Sequence, residues 1–258
     1  MATVLEATGI TMQFRGLTAV ADYNLCLEKG SIHGLIGTNG AGKTTVFNIL
    51  TGMQKPTSGR IRFLGRDITG RRPDQITRQG IARTFQNLRL FGGLTVLDNV
   101  LIGAQIEKQY GFLAALAGLP SLTRGEERLR ERAGRILEAL GLKQQATQLA
   151  GSLPYGNQRR LEIARALATQ PRLLLLDEPA AGMNPKESQE LMEMIRRIRA
   201  EFDLTILLIE HDMRVVMNLC HNLQVLCYGR TIATGRPEEI QNHPQVIEAY
   251  LGRSARHA

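Results

Sequence analysis

Residues 37–45 have the sequence GTNGAGKTT, which places three glycines and a lysine within nine positions. Gly37, Gly42, Lys43 and Thr44 have the spacing of a phosphate-binding loop. In such a loop the glycines allow positive φ, so that backbone N–H groups turn toward a phosphate. The lysine pairs with β- and γ-phosphate oxygens and the hydroxyl ligates Mg²⁺. We assign nucleotide binding to the following loop residues: Gly37, Asn39, Gly40, Ala41, Gly42, Lys43, Thr44 and Thr45.

Two carboxylates end the apolar run LLLLDEP at 173–179. If this run is a buried strand, Asp177 lies at its carboxyl end, where open α/β sheets bind their ligands. Asp177 could then hold Mg²⁺ through water, and Glu178 could orient or deprotonate an attacking water. Alone, the DEP sequence could also be a simple turn after a strand, which is the weaker of the two interpretations. The phosphate loop further favours the catalytic interpretation.

Two further polar residues follow apolar stretches. Gln86 lies in ARTFQN and His211 in LTILLIEHD. A lone glutamine is usually a surface residue, and a lone histidine is more often structural than catalytic. By themselves these residues therefore carry no functional assignment.

The elements around these residues predict an α/β fold. Ile32–Ile36 is predicted to be a strand that leads into the phosphate loop, and a helix is predicted to begin at Thr44. Apolar runs at 173–176 and 204–209 alternate with amphipathic helical patterns, which indicates a parallel sheet covered on both faces. The first thirty residues form two alternating, strand-like runs that end at the turn signal Lys29-Gly30.

The region from about 90 to 150 has a different pattern. Apolar residues recur there at the spacing of one helix face. We therefore expect this middle region to be helical. The residues of the predicted face are Leu129, Ala133, Ile136, Leu137 and Leu140.

Composition narrows the class of protein. The 258 residues are 43% hydrophobic and 22% charged, which is typical of a globular chain. No apolar stretch reaches the ~20 residues that span a bilayer, and the N-terminus lacks the features of a secretory signal. We therefore expect a cytosolic protein. The net charge of +8 is spread along the chain, so we expect no nucleic-acid partner.

Five segments together resemble the nucleotide-binding subunit of an ABC transporter, and their order and distances match that family. YGNQRRLEIAR, DEPAAGMNPKE and PEEIQNHPQVIEAYLG are similar to LivG-type ATPases of bacterial branched-chain (hydrophobic) amino-acid importers. The five segments are GTNGAGKTT, ARTFQN, LPYGNQRRLEIARAL, LLLLDEPAAGMNP and LLIEHDM.

The resemblance implies a single ABC ATPase domain over residues 1–258, with the α/β fold of a P-loop NTPase. A RecA-like core with the parallel sheet and an N-terminal antiparallel β subdomain would together occupy about residues 1–89 and 160–258. An ABC-type helical subdomain would occupy about 90–159. The chain has only one copy of the glycine-rich loop, so we expect one cassette rather than two.

The resemblance also implies cofactors and partners. The cofactors would be ATP and Mg²⁺. Two cassettes would form a head-to-tail homodimer or heterodimer, in which the phosphate loop of each subunit faces the other subunit's signature, the segment that corresponds to LPYGNQ at 153–158. Other partners would be transmembrane permease subunits and, indirectly, a periplasmic binding protein. The subunit would lie in the cytoplasm, peripheral on the inner face of the membrane.

The resemblance also implies roles for individual residues. Glu178, His211 and Gln86 would be catalytic, with His211 contacting the γ-phosphate. Gln86 would also join Thr44 and Asp177 at the metal. Phe14 would stack on adenine, although a core phenylalanine is a fair alternative. The signature residues that would contact nucleotide are Pro154, Tyr155, Gly156 and Asn157.

The signature departs from the family pattern at Pro154, where a serine is usual. Proline has neither a hydroxyl nor an N–H to offer, so the contact across the dimer would rest on its neighbours and on the helix dipole. We expect a working but slow ATPase. A smaller departure is Thr38, which replaces the usual proline of the phosphate loop.

Two alternative functions remain open from the sequence. One is a transport ATPase for another cargo, such as amides, urea or lipopolysaccharide. The other is a soluble ABC ATPase without a transport role. The cargo does not touch this subunit in the family, so its identity is not encoded in these motifs.

Overall fold

The computed structural model describes residues 2–105 and 120–251. Its described strands form two sheets. The four-stranded sheet has the order β2-β1-β4-β5 and its pairings are antiparallel. Its strands are β1 (Thr3–Phe14), β2 (Leu17–Glu28), β4 (Ser58–Phe63) and β5 (Arg66–Asp67).

The second sheet has six strands in the order β10-β9-β3-β8-β7-β6. Five of them run parallel, and only the edge strand β10 is antiparallel to its neighbour. The predicted parallel sheet is thus confirmed, with one antiparallel edge. The strands are β3 (Ile32–Gly37), β6 (Ile81–Arg83), β7 (Leu173–Asp177), β8 (Thr205–Ile209), β9 (Asn222–Cys227) and β10 (Arg230–Gly235).

Helices alternate with these strands along the chain. The predicted helix after the phosphate loop is confirmed and begins at Lys43. The described α-helices are α1 (Lys43–Leu50), α2 (Pro73–Arg78), α3 (Val96–Ala104), α4 (Pro120–Ala139), α5 (Tyr155–Ala168), α6 (Pro185–Glu201), α7 (Met213–Leu219), α8 (Pro237–Gln241) and α9 (Pro244–Leu251).

Local sequence explains where several helices begin. At α6 the Asn184 side chain accepts the N–H of Glu187, and the Glu187 carboxylate accepts the N–H of Asn184. This reciprocal pair is a capping box. Pro185 suits the first helical position because an N–H at that position would have no acceptor within the helix, so the missing N–H of proline costs no hydrogen bond. At α3 the Thr95 hydroxyl accepts the N–H of Asp98.

The core has two layers, one on each face of the six-stranded sheet. One face carries helices, and residues of α3, α4, α5 and α6 contribute to it. The other face packs against α1 and the antiparallel sheet. Every residue of β3, β7 and β8 is buried, as expected for strands covered on both sides.

The middle region contains the predicted helical face. Ala133, Ile136, Leu137 and Leu140 are buried, and Leu129 packs partly buried against them. Helix α4 ends at Ala139, so Leu140 lies just beyond it. The domain boundaries near 90 and 159 stay a prediction. Within residues 2–105 and 120–251, no helix has both the length and the apolar composition needed to cross a bilayer.

Candidate nucleotide site

The phosphate loop connects the buried end of β3 to α1. Gly37 has a φ of 150°, and a Cβ there would lie 2.2 Å from the Leu226 carbonyl oxygen. Gly42 has a φ of 104°, and a Cβ there would lie 2.7 Å from the Ala19 carbonyl oxygen. Neither position has room for a side chain, so glycine is required by the fold as well as by the ligand.

The tip of this loop is open. Asn39, Gly40 and Thr44 are exposed and Thr45 is half-buried, whereas Ala41 is buried. The Ala41 carbonyl accepts the N–H of Gly229, which anchors the loop to the β9–β10 turn. Of the predicted nucleotide-binding residues, Asn39, Gly40 and Thr44 therefore face solvent, while Gly37, Ala41 and Lys43 are buried in the base of the loop.

The Lys43 side chain lies inside its own loop. Its Nζ donates to the carbonyl oxygens of Gly37 at 2.7 Å and Thr38 at 3.0 Å. Burial lowers the Lys43 pKa, while the carboxylates of Glu178 and Asp177 oppose that shift. The amine is thus a partly desolvated cation beside two acidic groups, and a phosphate would offer it stronger acceptors than two carbonyls.

Asp177 ends β7 and forms a buried ion pair with Arg83 of β6. The Arg83 Nη2 lies 2.7 Å from the Asp177 Oδ2, and the two side chains are 6% and 7% exposed. The other guanidinium nitrogen donates to the Asn48 Oδ1 at 2.7 Å, and the guanidinium lies over the rings of Phe47 and Phe85. Arg83 was not predicted as a site residue, and it is the direct partner of the predicted metal ligand.

Gln86, Glu178 and His211 meet at the carboxyl ends of the parallel strands. The Gln86 Nε2 donates to the Glu178 Oε2 at 3.0 Å. The His211 Nδ1 lies 3.8 Å from the Glu178 Oε1. Glu178 has a φ of 47°, a left-handed conformation that is uncommon for a residue with a side chain. The structure therefore brings the three residues assigned to catalysis into one cluster.

Glu210, the residue before His211, was also missed by sequence reasoning. It is 1% exposed, and its carboxylate accepts the N–H of Ala180 at 2.9 Å and of His211 at 3.2 Å. Burial raises the Glu210 pKa, and the backbone hydrogen bonds oppose this shift. A buried carboxylate held by backbone N–H groups links the loop after Glu178 to the segment of His211.

The signature residues lie at the start of α5. Pro154 is the N-cap residue, and its carbonyl accepts the N–H groups of Asn157 and Gln158. The N–H groups of Tyr155 and Gly156 belong to the first turn, which has no intrahelical acceptors for them. Within the described residues, no hydrogen bond joins Pro154, Tyr155, Gly156 or Asn157 to residues 37–45.

Two buried side chains of α5 instead bind the segment that carries Gln86. The Arg159 guanidinium donates to the carbonyls of Phe85 at 3.0 Å and Gln86 at 2.6 Å. The Glu162 carboxylate accepts the Phe85 N–H at 3.1 Å. Arg159 also donates to the Tyr155 hydroxyl at 3.1 Å. The signature helix and the Gln86 segment are thus directly joined.

Phe14 ends β1 and is 39% exposed, so it is not a core residue. It pairs with Leu17 across the β1–β2 turn, and Met12 of the same strand pairs with Val20. Val20 lies against Gly42 of the phosphate loop. The aromatic ring is therefore on the strand pair that borders the loop.

The phosphate loop, the carboxylate-ended strand and the Gln86–Glu178–His211 cluster define a P-loop ATPase of the ABC kind. The family model described as "ABC transporter" matches residues 20–181. The chain therefore belongs to the ABC transporter family, and it is an ABC ATPase that binds and hydrolyses ATP.

Closer relatives lie within that family. The model described as "Branched-chain amino acid ATP-binding cassette transporter" matches residues 230–256. The high-affinity branched-chain amino acid transport ATP-binding protein LivG of Escherichia coli is 47% identical over 251 residues, which cover 97% of this chain and 98% of that protein. The resemblance to LivG-type ATPases is thus confirmed.

Two solved structures have the same fold. The ADP conformation of an ATP-binding cassette of an ABC transporter is 32% identical, with a TM-score of 0.86 over 98% of this chain and 100% of that one. A dimeric post-hydrolysis cassette bound to ADP and Pi is 25% identical, with a TM-score of 0.76 over 90% of this chain and 98% of that one.

Proposed function

We propose that this chain is the ATP-hydrolysing subunit of an importer for branched-chain or hydrophobic amino acids. One observation carries the proposal: Gln86, Glu178 and His211 meet beside the phosphate loop in a chain that is 47% identical to LivG. The name of that relative supports the cargo class. The geometry supports the chemistry.

In the proposed mechanism, the phosphate loop holds the ATP polyphosphate. Lys43 exchanges its two carbonyl acceptors for phosphate oxygens, and backbone N–H groups around Gly40 surround the β-phosphate. Phe14 stacks on the adenine at the border of the loop. These contacts place the terminal phosphate near Glu178, whose carboxylate is close enough to oppose the lowering of the Lys43 pKa by burial.

Glu178 acts on the attacking water. Its carboxylate accepts the water's proton while Gln86 holds one carboxylate oxygen by a hydrogen bond. His211, 3.8 Å from the other oxygen, contacts the terminal phosphate. Hydrolysis is therefore coupled to the position of the Gln86 segment, which is tied to the signature helix through Arg159.

The residues present fit a Mg²⁺ ion. Thr44 is exposed in the first turn of α1 and Asp177 is the last residue of β7, so a hydroxyl and a carboxylate supply the hard oxygen donors that Mg²⁺ prefers. We assign Thr44, Asp177 and Gln86 to this ion. When bound, Mg²⁺ neutralises charge on the phosphates.

We further propose that two cassettes assemble head to tail, either as a homodimer or with a second ABC ATPase. Exposed Pro154 and Tyr155, and the free first-turn N–H groups of α5, would then face the partner's nucleotide. The dimer would bind transmembrane permease subunits at the inner face of the membrane, in the cytoplasm, and would act with a periplasmic binding protein only indirectly.

Reconstitution tests this proposal. The chain is co-purified with its membrane partners, placed in vesicles and supplied with candidate ligand-loaded binding proteins, and ATP turnover is measured. Stimulation by a binding protein loaded with leucine, isoleucine or valine is expected. If only a binding protein loaded with an amide or urea stimulates ATP turnover, the cargo would be that compound and not a branched-chain amino acid. If the chain hydrolyses ATP but no membrane protein co-purifies with it from cells, the chain would be a non-transport ATPase.

A further inference from the structure

Glu210 is a buried acid with no role in the proposed catalytic steps. It follows the last residue of β8 and is 1% exposed. Within the part of the chain that the structure describes, the basic side chain within ion-pair distance of its carboxylate is that of His211, whose Nδ1 lies 3.9 Å away. Burying a carboxylate this completely removes it from water, and this desolvation cost must be offset by hydrogen bonds or by a paired charge.

The compensation comes from backbone N–H groups of two separate segments. One carboxylate oxygen accepts the N–H of Ala180, which follows Glu178 and Pro179. The other accepts the N–H of His211. Bonds from N–H groups to a charged acceptor are stronger than those between neutral groups. A single side chain thus binds the two segments that carry the acid and the histidine of the cluster.

A third bond fixes the geometry between them. The N–H of Glu178 donates to the carbonyl of Ile209 at 2.9 Å. The Glu178 loop is therefore bound to the end of β8 by two hydrogen bonds. One joins the Glu178 N–H to the Ile209 carbonyl, and the other joins the Ala180 N–H to the Glu210 carboxylate. The left-handed φ of 47° at Glu178 is unfavourable for this residue type and persists only where the surroundings hold it.

We propose that Glu210 is a positioning residue that makes the Glu178–Ala180 loop and the His211 segment move as one unit. This inference rests on the proposed function, because it concerns how the same site is assembled. Binding of the terminal phosphate by His211 is transmitted through the Glu210 carboxylate to Ala180 and the loop that follows it. The resemblance to the ABC family implies that this loop, AGMNP at residues 181–185, would cross the dimer interface.

Graded variants separate this role from simple packing. Glu210→Gln keeps the shape of the side chain but retains only one acceptor oxygen, so one of the two N–H bonds is lost. Glu210→Ala loses both. Loss of one bond to a charged acceptor is expected to lower kcat about tenfold and loss of both about a hundredfold. The affinity of the isolated subunit for ATP is expected to change less than about twofold, because Glu210 does not contact the nucleotide.

The matched control is Glu187→Gln. Glu187 accepts the N–H of Asn184 at the far end of the same loop, and its side chain is exposed. A glutamine serves equally well in a capping box, so kcat should stay within about twofold of the wild-type value.

Hydrogen exchange gives a readout independent of turnover. In nucleotide-free protein, Glu210→Gln should speed exchange of the Ala180 or His211 amide, and Glu187→Gln should affect neither. If Glu210→Gln matches the control in both kcat and exchange, the inference is overturned. If the wild-type chain neither binds nor hydrolyses ATP, the proposed function fails instead. The exchange rates of the Ala180 and His211 amides still test whether Glu210 holds the two segments together. If Glu210→Ala does not fold, the glutamine variant decides.

Discussion

The Gln86 amide donates to the Glu178 carboxylate at 3.0 Å, although the two residues are 92 positions apart in the chain. Gln86 in turn belongs to a segment whose carbonyls are bound by Arg159 of the signature helix. The group that would activate water is thus connected through one side chain to the helical region. This connection is the basis of the coupling that we propose between hydrolysis and movement.

Glu178→Gln should abolish turnover while leaving nucleotide binding intact. A glutamine can still accept the Gln86 hydrogen bond but cannot take the proton of the attacking water, so kcat should fall at least about a hundredfold. ATP should then hold two subunits together, which size-exclusion chromatography with and without ATP would detect. Unchanged turnover would contradict the assignment of Glu178 as the base.

Arg83→Met should destabilise the fold strongly. The variant leaves the Asp177 carboxylate buried without its partner, and breaking a buried pair in this way costs about 3–5 kcal/mol. Urea unfolding measures the loss. The control is Arg72→Met, whose ion pair with Asp74 is largely exposed and should contribute less than about 1 kcal/mol. Equal effects of the two variants would show that the Arg83–Asp177 pair contributes no special stability.

Pro154→Ser should raise ATP turnover. Pro154 is an N-cap residue that makes no side-chain cap, and a serine there can cap α5 and offer a hydroxyl to the partner's phosphate. Pro154→Ala removes the ring without adding the hydroxyl and serves as control. A gain in turnover with serine and none with alanine is expected. No gain with serine would mean that the missing hydroxyl does not limit hydrolysis.

His33 should make stability depend on pH in the acid range. Burial lowers the His33 pKa from 6.5 to about 4, and its Nε2 is a buried atom without a hydrogen-bond partner among the described residues. Between these values the unfolded chain binds a proton that the folded chain does not, so stability falls as pH drops from about 6.5 to about 4. The loss is about 3 kcal/mol, because the pKa falls from 6.5 to about 4 and each pKa unit corresponds to about 1.4 kcal/mol. Unfolding measured across this range should be flatter for His33→Gln, and an identical slope would refute the assignment.

The strands and the phosphate loop could be predicted because their signals are local. The run Leu173–Leu176 and the spacing from Gly37 to Thr44 indicate a buried strand and a phosphate loop without knowledge of any partner. The cluster of Gln86, Glu178 and His211 was harder to foresee, because each residue alone is ambiguous. The family resemblance combined them, and the sheet order then placed them together.

The buried charged residues could not be predicted. Arg83, Arg159, Glu162 and Glu210 have the residue types of a solvated surface, and only the packing of distant segments shows that each is covered and paired. One signal was available: Glu210 directly follows a run of five buried strand residues, where a charged side chain requires compensation. The identity of its partners still depended on the loop after β7.

Lys43→Ala tests the central claim, which is that the loop around Lys43 encloses a nucleotide polyphosphate. Affinity for Mg-ATP would be measured by calorimetric titration of the wild-type chain, Lys43→Ala and Lys29→Ala. Lys29 is an exposed lysine paired with Asp203, and its loss should leave affinity unchanged. Loss of the Lys43 cation should weaken binding about a hundredfold. Full affinity in the Lys43→Ala variant would contradict the account.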